Sequence, residues 1–195
     1  MLEVAILGLL KERAMHGYEL KKRLSETLGS FWQVSYGSLY PALKRLLREE
    51  AVEMTFPKQE VGRRKNVYRL TKKGEQLFAE LLERAGQEAT EDTAFSVRFA
   101  FFRYLKPETR IRLLERRREF LESRWSKLKQ SLQSYRERID NYTLSLMDHE
   151  LAATESDIRW LDDLIKAERE LVPNRLGAGG TSRRRPSLPR RERAR

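Results

Sequence analysis

The feature that most restricts the fold is a long, regular apolar seam in the second half of the chain. From Ile111 to Ile139, apolar residues recur at alternating spacings of three and four, and only Arg118 interrupts them. A segment from Leu144 to Ile165 repeats this rhythm. Such spacing places one apolar stripe on each of two helices, each roughly 40–50 Å long at about 1.5 Å per residue. The pattern predicts a mainly helical protein that ends in an antiparallel helical hairpin.

Helices of this length carry more apolar surface than one small domain covers. We therefore expect the hairpin to dock on a second copy of the chain and to form a homodimer. The residues predicted at that dimer interface are Leu114, Leu121, Trp125, Leu128, Ile158, Trp160 and Leu161.

The first third of the chain has a different organisation. Three short helical patterns, at about 3–12, 17–28 and 35–50, are each too short to be stable alone and must pack together. Two β-type runs, 52–56 and 66–70, then flank the basic segment PKQEVGRRK, which predicts a two-stranded hairpin with a basic tip. The fold class is thus mainly α (α+β): a winged helix-turn-helix with a two-stranded wing, followed by the long antiparallel helices.

The third helical pattern, SYGSLYPALKRLLREE, has two contrasting faces. Leucines form one face, whereas Gly37, Pro41 and Lys44 lie on the other, which is small at the front and cationic behind. A helix entering a DNA major groove needs this order, because its first turn comes closest to the base edges. Either Ser35 or Ser38 could cap the helix. A solvated surface face is the alternative explanation for such a helix when it stands alone.

The net charge of +11 is unevenly distributed along the chain. Residues 1–75 carry +6, residues 76–172 carry −2 and residues 173–195 carry +7. A polyanion would therefore meet the two ends of the chain and not its centre. The residues predicted to contact double-stranded DNA are Ser35, Tyr36, Gly37, Ser38, Tyr40, Lys44, Arg63, Arg64 and Lys65. Tyr36, Ser38, Tyr40 and Lys44 are expected to approach the major groove, whereas Arg63, Arg64 and Lys65 are expected to bind phosphates.

Four motifs in this order resemble the DNA-binding domain of the PadR family of transcriptional regulators: LGLL near the start, HGYEL at 16–20, YGSLYPALKRL at 36–46 and GRRKNVYRLT at 62–71. The resemblance implies a cytoplasmic dimeric repressor that leaves its operator when a small ligand or signal alters the dimer. The two-fold symmetry of a dimer predicts that this operator is roughly palindromic. Two positions depart from the family pattern. Ala51 stands where Gly is common, so a left-handed backbone there would be strained, and Arg64 stands where Pro is common.

Aromatic residues concentrate in AFSVRFAFFRY, residues 94–104. Phe95, Phe99 and Phe102 could line a pocket for a small aromatic effector, as in some relatives, or could fill the space between domains. His16 is interpreted as holding the backbone where a helix begins, with a ligand or pH switch as the alternative. Tyr18 is interpreted as half-buried packing, with a phosphate contact as the alternative.

The predicted domains are 1–85 (winged helix, DNA binding), 86–172 (helical, dimerisation and candidate effector binding) and 173–195 (a disordered basic tail). No nucleophile with a base, Gly-rich phosphate loop or metal-ligand cluster is evident, so we expect no enzyme activity, cofactor or metal. We also expect no membrane partner, because no apolar run is long enough to span a bilayer. Two rival functions remain: a nonspecific architectural nucleic-acid-binding protein, and a helical assembly or adaptor protein.

Overall fold

The N-terminal part of the chain is built around one helix, α1 (Leu2–Leu10), in which every residue from Val4 to Leu10 is buried. A helix that is apolar on all sides must be covered on all sides. The computed structural model describes residues 1–29, 32, 34–55, 66–84, 92–136 and 138–171. Among these described residues, four helices pack around α1: α2 (Gly17–Leu28), α3 (Tyr36–Arg48), α4 (Lys72–Glu83) and α5 (Asp92–Phe99).

A small antiparallel sheet lies beside these helices. β2 (Val52–Thr55) pairs with β3 (Val67–Leu70), as the two β-type runs predict. The predicted two-stranded wing is therefore present, and a third strand, β1 (Met15–His16), pairs with the other side of β3 in the order β1-β3-β2. Two residues are too few to show an alternating pattern, so the sequence gives no signal for β1.

The turn after α3 differs from the expectation at Ala51. The left-handed residue is Glu50, with φ of 58°, whereas Ala51 is fully buried and donates its N–H to the Leu46 carbonyl at 2.9 Å. Glu50 thus ends α3 in a Schellman-type turn, and no strain falls on Ala51. Thr71 caps α4, since its hydroxyl accepts the Gly74 N–H at 3.0 Å. A Cβ on Gly74 would overlap the Ala51 carbonyl oxygen, so α4 and the end of α3 are in close contact.

The predicted long helices are present as α6 (Pro107–Tyr135) and α7 (Asn141–Leu171), and Pro107 occupies the first turn of α6. They pack together as an antiparallel hairpin. α6 has eight basic and four acidic residues, whereas α7 has three basic and eight acidic residues. Opposite charges pair between the two helices from Arg110 to Arg124 of α6, at Arg110–Glu168 (2.7 Å), Arg118–Asp162 (3.1 Å) and Arg124–Glu150 (2.6 Å). These cross-pairs stabilise one antiparallel register over its alternatives.

The two parts of the molecule share one hydrophobic core. Phe101 is completely buried, and its ring lies so close to α1 that a Cβ on Gly8 would come within 2.5 Å of it. Leu114 and Leu161, from the long helices, belong to the same cluster of buried residues as α1. The boundary predicted at residue 85 falls outside the described residues, as does the basic tail.

Candidate nucleic-acid interface

The candidate interface begins at the N-terminus of α3, where the structure decides between the two possible caps. Ser35 is the cap: its hydroxyl oxygen accepts the Ser38 N–H at 3.2 Å. The Ser38 hydroxyl donates to the Ser35 carbonyl at 3.0 Å. Both hydroxyl groups therefore have partners within the helix start, and the Ser35 hydroxyl binds one of the N–H groups of the first turn.

The two faces of α3 separate as the sequence predicts. Leu39, Ala42, Leu43 and Leu46 are buried in the core. Gly37, Ser38, Pro41, Lys44 and Arg48 are exposed on the opposite face.

This exposed face combines a flat front with positive charge behind it. Gly37 contributes no side chain, and a Cβ there would meet nothing closer than the Ser35 hydroxyl at 3.6 Å. Within the described residues, Lys44 and Arg48 form no ion pair, whereas Arg45 is bound to Glu3 of α1 at 3.1 Å. The face therefore offers two unpaired cations to a negatively charged partner, while Arg45 holds α3 on α1.

Two tyrosines edge this face in a fixed arrangement. Tyr36 and Tyr40 are 39% and 43% exposed, and their rings stack with centroids 6.1 Å apart and planes 19° apart. The ammonium group of Lys21, on α2, lies 4.1 Å from the centroid of the Tyr36 ring. Burial raises the pKa of the neighbouring Tyr68 phenol above its usual value.

α2 adds Lys21 to this surface, a residue that the sequence did not identify. Tyr18 is 68% exposed, so its interpretation as half-buried packing is wrong. Lys21, also on α2, lies against the Tyr36 ring. The doublet of lysines after HGYEL was the available signal, but helical periodicity alone does not show which face of α2 lies beside α3. His16 caps α2 as predicted, because its Nδ1 accepts the Glu19 N–H at 3.2 Å.

The predicted phosphate contacts, Arg63, Arg64 and Lys65, lie outside the described residues. The strands that lead to them are described, and the Glu53–Arg69 ion pair links β2 to β3 at 2.6 Å.

The three phenylalanines predicted to line an effector pocket do come together. The ring centroid of Phe99 lies 5.8 Å from that of Phe95 and 5.2 Å from that of Phe102. The Trp160 ring of α7 packs on Phe99 with a centroid distance of 5.3 Å. Phe95, Phe99 and Trp160 line a cavity of about 550 Å³, whereas Phe102 is 6% exposed and packs behind it. Arg117, also lining the cavity, forms an ion pair with Asp92 and lies over the Phe95 ring at 5.2 Å.

The residues predicted at the dimer interface fall into two groups. Leu114, Leu121 and Leu161 are 1–3% exposed within a single chain, so they pack inside the protomer and have no surface left for a partner. Trp125, Leu128, Ile158 and Trp160 are half-buried. Spacing on a helix shows which stripe is apolar but not whether the same chain covers it.

With this geometry established, comparison with known proteins identifies the N-terminal part. Residues 6–80 match the model of the transcriptional regulator PadR-like family. Through these residues, the chain belongs to the PadR-like family. The matched PadR-like segment includes α2, α3, both strands of the wing and most of α4, and the fold of this segment is a winged helix.

Two relatives share this PadR-like segment. The "Negative transcriptional regulator PadR" of Bacillus subtilis (strain 168) is 36% identical over 76 residues, which are 39% of this chain and 42% of that protein. An uncharacterized protein of Lysinibacillus sphaericus is 28% identical over 82 residues, which are 42% of this chain and 75% of that protein. The match thus spans less than half the length of the Bacillus subtilis relative.

Solved structures with similar folds include Bacillus subtilis PadR in complex with operator DNA. It is 24% identical, with 86% of this chain and 98% of that chain covered and a TM-score of 0.42. A PadR-like transcriptional regulator from Bacillus cereus strain ATCC 14579 is 34% identical over 40% of this chain and 75% of its own, with a TM-score of 0.36. Across the residues that the structure describes, no helix has both the length and the apolar character needed to cross a membrane.

Proposed function

We propose that this PadR-like protein is a sequence-specific DNA-binding transcriptional regulator that acts as a homodimer. The observation that carries the proposal is the exposed face of α3, which is flat at Gly37 and cationic at Lys44 and Arg48. A major groove about 12 Å wide admits a helix whose first turn is small enough to approach the bases. Tyr36, Tyr40 and Lys44 are the proposed base-contacting residues.

Ser35 and Ser38 take a supporting part in this proposal. Their hydroxyl groups are engaged in the cap of α3, so they hold the helix start in place and present backbone groups to the DNA. Arg63, Arg64 and Lys65 are proposed from the sequence to neutralise phosphates, which adds affinity without sequence information.

The proposed homodimer places two copies of α3 on one duplex. Two-fold symmetry then requires a roughly palindromic site with half-sites about one helical turn, or a multiple of one, apart. The half-buried Trp125, Leu128, Ile158 and Trp160 are the proposed contacts between protomers.

We extend the proposal to repression and to release by a small ligand. The Bacillus subtilis relative is named a negative transcriptional regulator, which supports the repressing sign. The cavity beside Phe95, Phe99 and Trp160 supports an aromatic effector, because planar rings can stack on its walls. Its residues come from α5, from the long helices and, through Thr27, from α2, so a ligand there would touch the DNA-binding part as well.

The DNA-binding proposal is tested by selecting duplexes from fragments of the host genome and measuring Kd on a selected duplex and on its scrambled sequence. We expect a specificity ratio of about 10³ or more, as for other specific DNA-binding proteins. A ratio near one would favour an architectural protein. The double variant Tyr40→Ala with Lys44→Ala should lose the preference and remain dimeric. Arg159→Ala, an exposed change on α7, is the matched control and should keep the preference.

The effector proposal needs a separate test. The test uses the Trp32→Phe, Trp125→Phe variant, in which Trp160 is the only tryptophan. Its fluorescence therefore reports on the cavity. Titration with an aromatic carboxylic acid and with an aromatic cation should change the Trp160 emission and weaken DNA binding for one of the two classes. Unchanged emission and unchanged Kd with both probes would contradict the proposal for both classes.

A further inference from the structure

Lys21 occupies an unusual position for a lysine beside a DNA-binding helix. Its ammonium group lies 4.1 Å from the centroid of the Tyr36 ring, and within the described residues it forms no ion pair with a carboxylate. A cation over the face of an aromatic ring is attracted by the ring's negative face. Lys21 is therefore engaged with Tyr36, at the first residue of α3, before any DNA is bound.

The contact belongs to a larger arrangement along α2. Tyr36 stacks on Tyr40, and the Tyr40 ring in turn lies over Gly17, where a Cβ would stand 3.1 Å from the hydroxyl oxygen and 3.2 Å from Cε1. Gly17 and Lys21 are one helical turn apart on α2. The two tyrosines are thus held between a cation at one end and a residue without a side chain at the other.

This arrangement addresses a specific difficulty of Tyr36. The residue lies at the start of a helix, it is 39% exposed, and a large exposed side chain there could adopt several rotamers. A side chain that hydrogen-bonds to a base must be placed within a narrow geometry, and rotamer freedom lost on binding weakens the complex. Holding the ring before the DNA arrives reduces that loss.

We propose that Lys21 is a positioning residue for sequence recognition: it orients Tyr36 across the boundary between α2 and α3 and is not primarily a phosphate contact. The inference rests on the DNA-binding function proposed above. Its consequence is that sequence preference depends on a residue outside the recognition helix.

Two roles for Lys21 lead to opposite results in one experiment. A lysine that only neutralises a phosphate weakens binding to all sequences equally, and its loss lowers the slope of log K against log salt by about one. A lysine that orients Tyr36 changes the ratio of Kd between the selected and the scrambled duplex, and its loss leaves the salt slope unchanged.

The test compares Lys21→Met, which keeps most of the stem but removes the cation, with Lys21→Arg, which keeps a cation for the ring. Lys22→Met is the matched control on the next residue, whose ammonium lies 3.9 Å from Glu26. Kd is measured for both duplexes over a range of salt concentrations, and circular dichroism confirms that each variant is folded. We expect Lys21→Met to lower the specificity ratio about threefold to tenfold. Lys21→Arg should restore it, and Lys22→Met should preserve it.

A double-mutant cycle identifies Tyr36 as the residue through which Lys21 acts. Once Tyr36→Leu has removed the ring, Lys21→Met should have little further effect on the ratio, because residues that act as a unit are not additive. Additive effects would overturn the inference. So would an equal loss on both duplexes with a lower salt slope, or an unchanged ratio in Lys21→Met. If the wild-type protein shows no sequence preference, the proposed function fails, and the positioning role fails with it.

Discussion

At the scale of single residues, the exposed face of α3 owes its shape to Gly37 and Pro41. Each is unfavourable inside a helix, Gly through its backbone freedom and Pro through its missing N–H. Both are exposed, so neither is needed for packing in the core. Their stability cost is consistent with a surface selected for close approach and not for helix strength.

Gly37→Ala separates stability from DNA binding. The new Cβ would have only ordinary contact with the Ser35 hydroxyl, at 3.6 Å, so the free energy of unfolding should rise by about 0.5–1 kcal/mol. The same methyl group would stand between α3 and the bases, and binding to the selected duplex should weaken about tenfold. Urea denaturation and titration of labelled DNA measure the two effects.

Ser134→Ala provides the control for this prediction. It places alanine at an exposed position inside α6, far along the chain from α3, and should leave DNA affinity unchanged. If Gly37→Ala binds DNA as tightly as the wild-type protein, the first turn of α3 does not approach the bases.

Gly8→Ala should destabilise the junction between the two parts of the molecule. The added Cβ would stand 2.5 Å from two atoms of the Phe101 ring, which is completely buried. Overpacking of this kind lowers the free energy of unfolding by about 1–3 kcal/mol. Combining the change with Phe101→Leu should recover part of the loss, as measured by urea denaturation. Equal stability of Gly8→Ala and the wild-type protein would show that this contact is not tight.

At the scale of elements, α6 and α7 each have an apolar stripe, and they carry opposite net charges. The pairs that cross between them range from half-buried to exposed. Arg110 and Glu168 have side chains only 11% and 21% exposed, and Arg110 also donates to the Leu105 carbonyl at 3.2 Å. This pair therefore joins the beginning of α6 to the end of α7 where the solvent screens the charges least.

Glu168→Gln should lower the free energy of unfolding by about 1–3 kcal/mol, because it leaves the guanidinium of Arg110 without its carboxylate. Glu155→Gln is the control: its pair with Arg159 lies on the surface, with side chains 54% and 66% exposed, and should contribute little. Chemical denaturation of both variants checks the difference. Equal effects would mean that the burial of the Arg110 pair does not strengthen it.

Some of these helices, strands and contacts could be predicted from the sequence, and others could not. Periodicity predicted the helices of the winged domain, the long hairpin and the two opposite faces of α3, because each follows from the spacing of apolar residues along one segment. It did not predict β1, which is too short for a pattern, or the burial of Leu114, Leu121 and Leu161 within one chain. The contact between Lys21 and Tyr36 joins two helices, and no periodicity within either helix contains that information.

At the scale of the whole molecule, the proposed dimer depends on the half-buried part of the long hairpin. Trp125 and Leu128 lie in the half of α6 that follows the buried Leu121, and Lys129 packs its ammonium 4.6 Å from the Trp125 ring. A partner hairpin would cover this apolar surface and set the distance between the two copies of α3.

Leu128→Glu should convert a dimer into a folded monomer, because it places a charge in the proposed contact between protomers. Sedimentation equilibrium should give twice the mass of one chain for the wild-type protein and the mass of one chain for the variant. Lys127→Glu, a charge change at an exposed neighbouring residue, should remain dimeric. A wild-type protein that sediments as a monomer would exclude the dimer.

The central claim, that the exposed face of α3 enters the major groove, is tested most directly by methylation interference on the selected duplex. Dimethyl sulfate modifies guanine N7, which lies in the major groove. We expect methylation to block binding at two clusters of guanines about one helical turn, or a multiple of one, apart, and we expect the Tyr40→Ala, Lys44→Ala variant to lose this pattern. Binding that tolerates methylation at every guanine would contradict the claim.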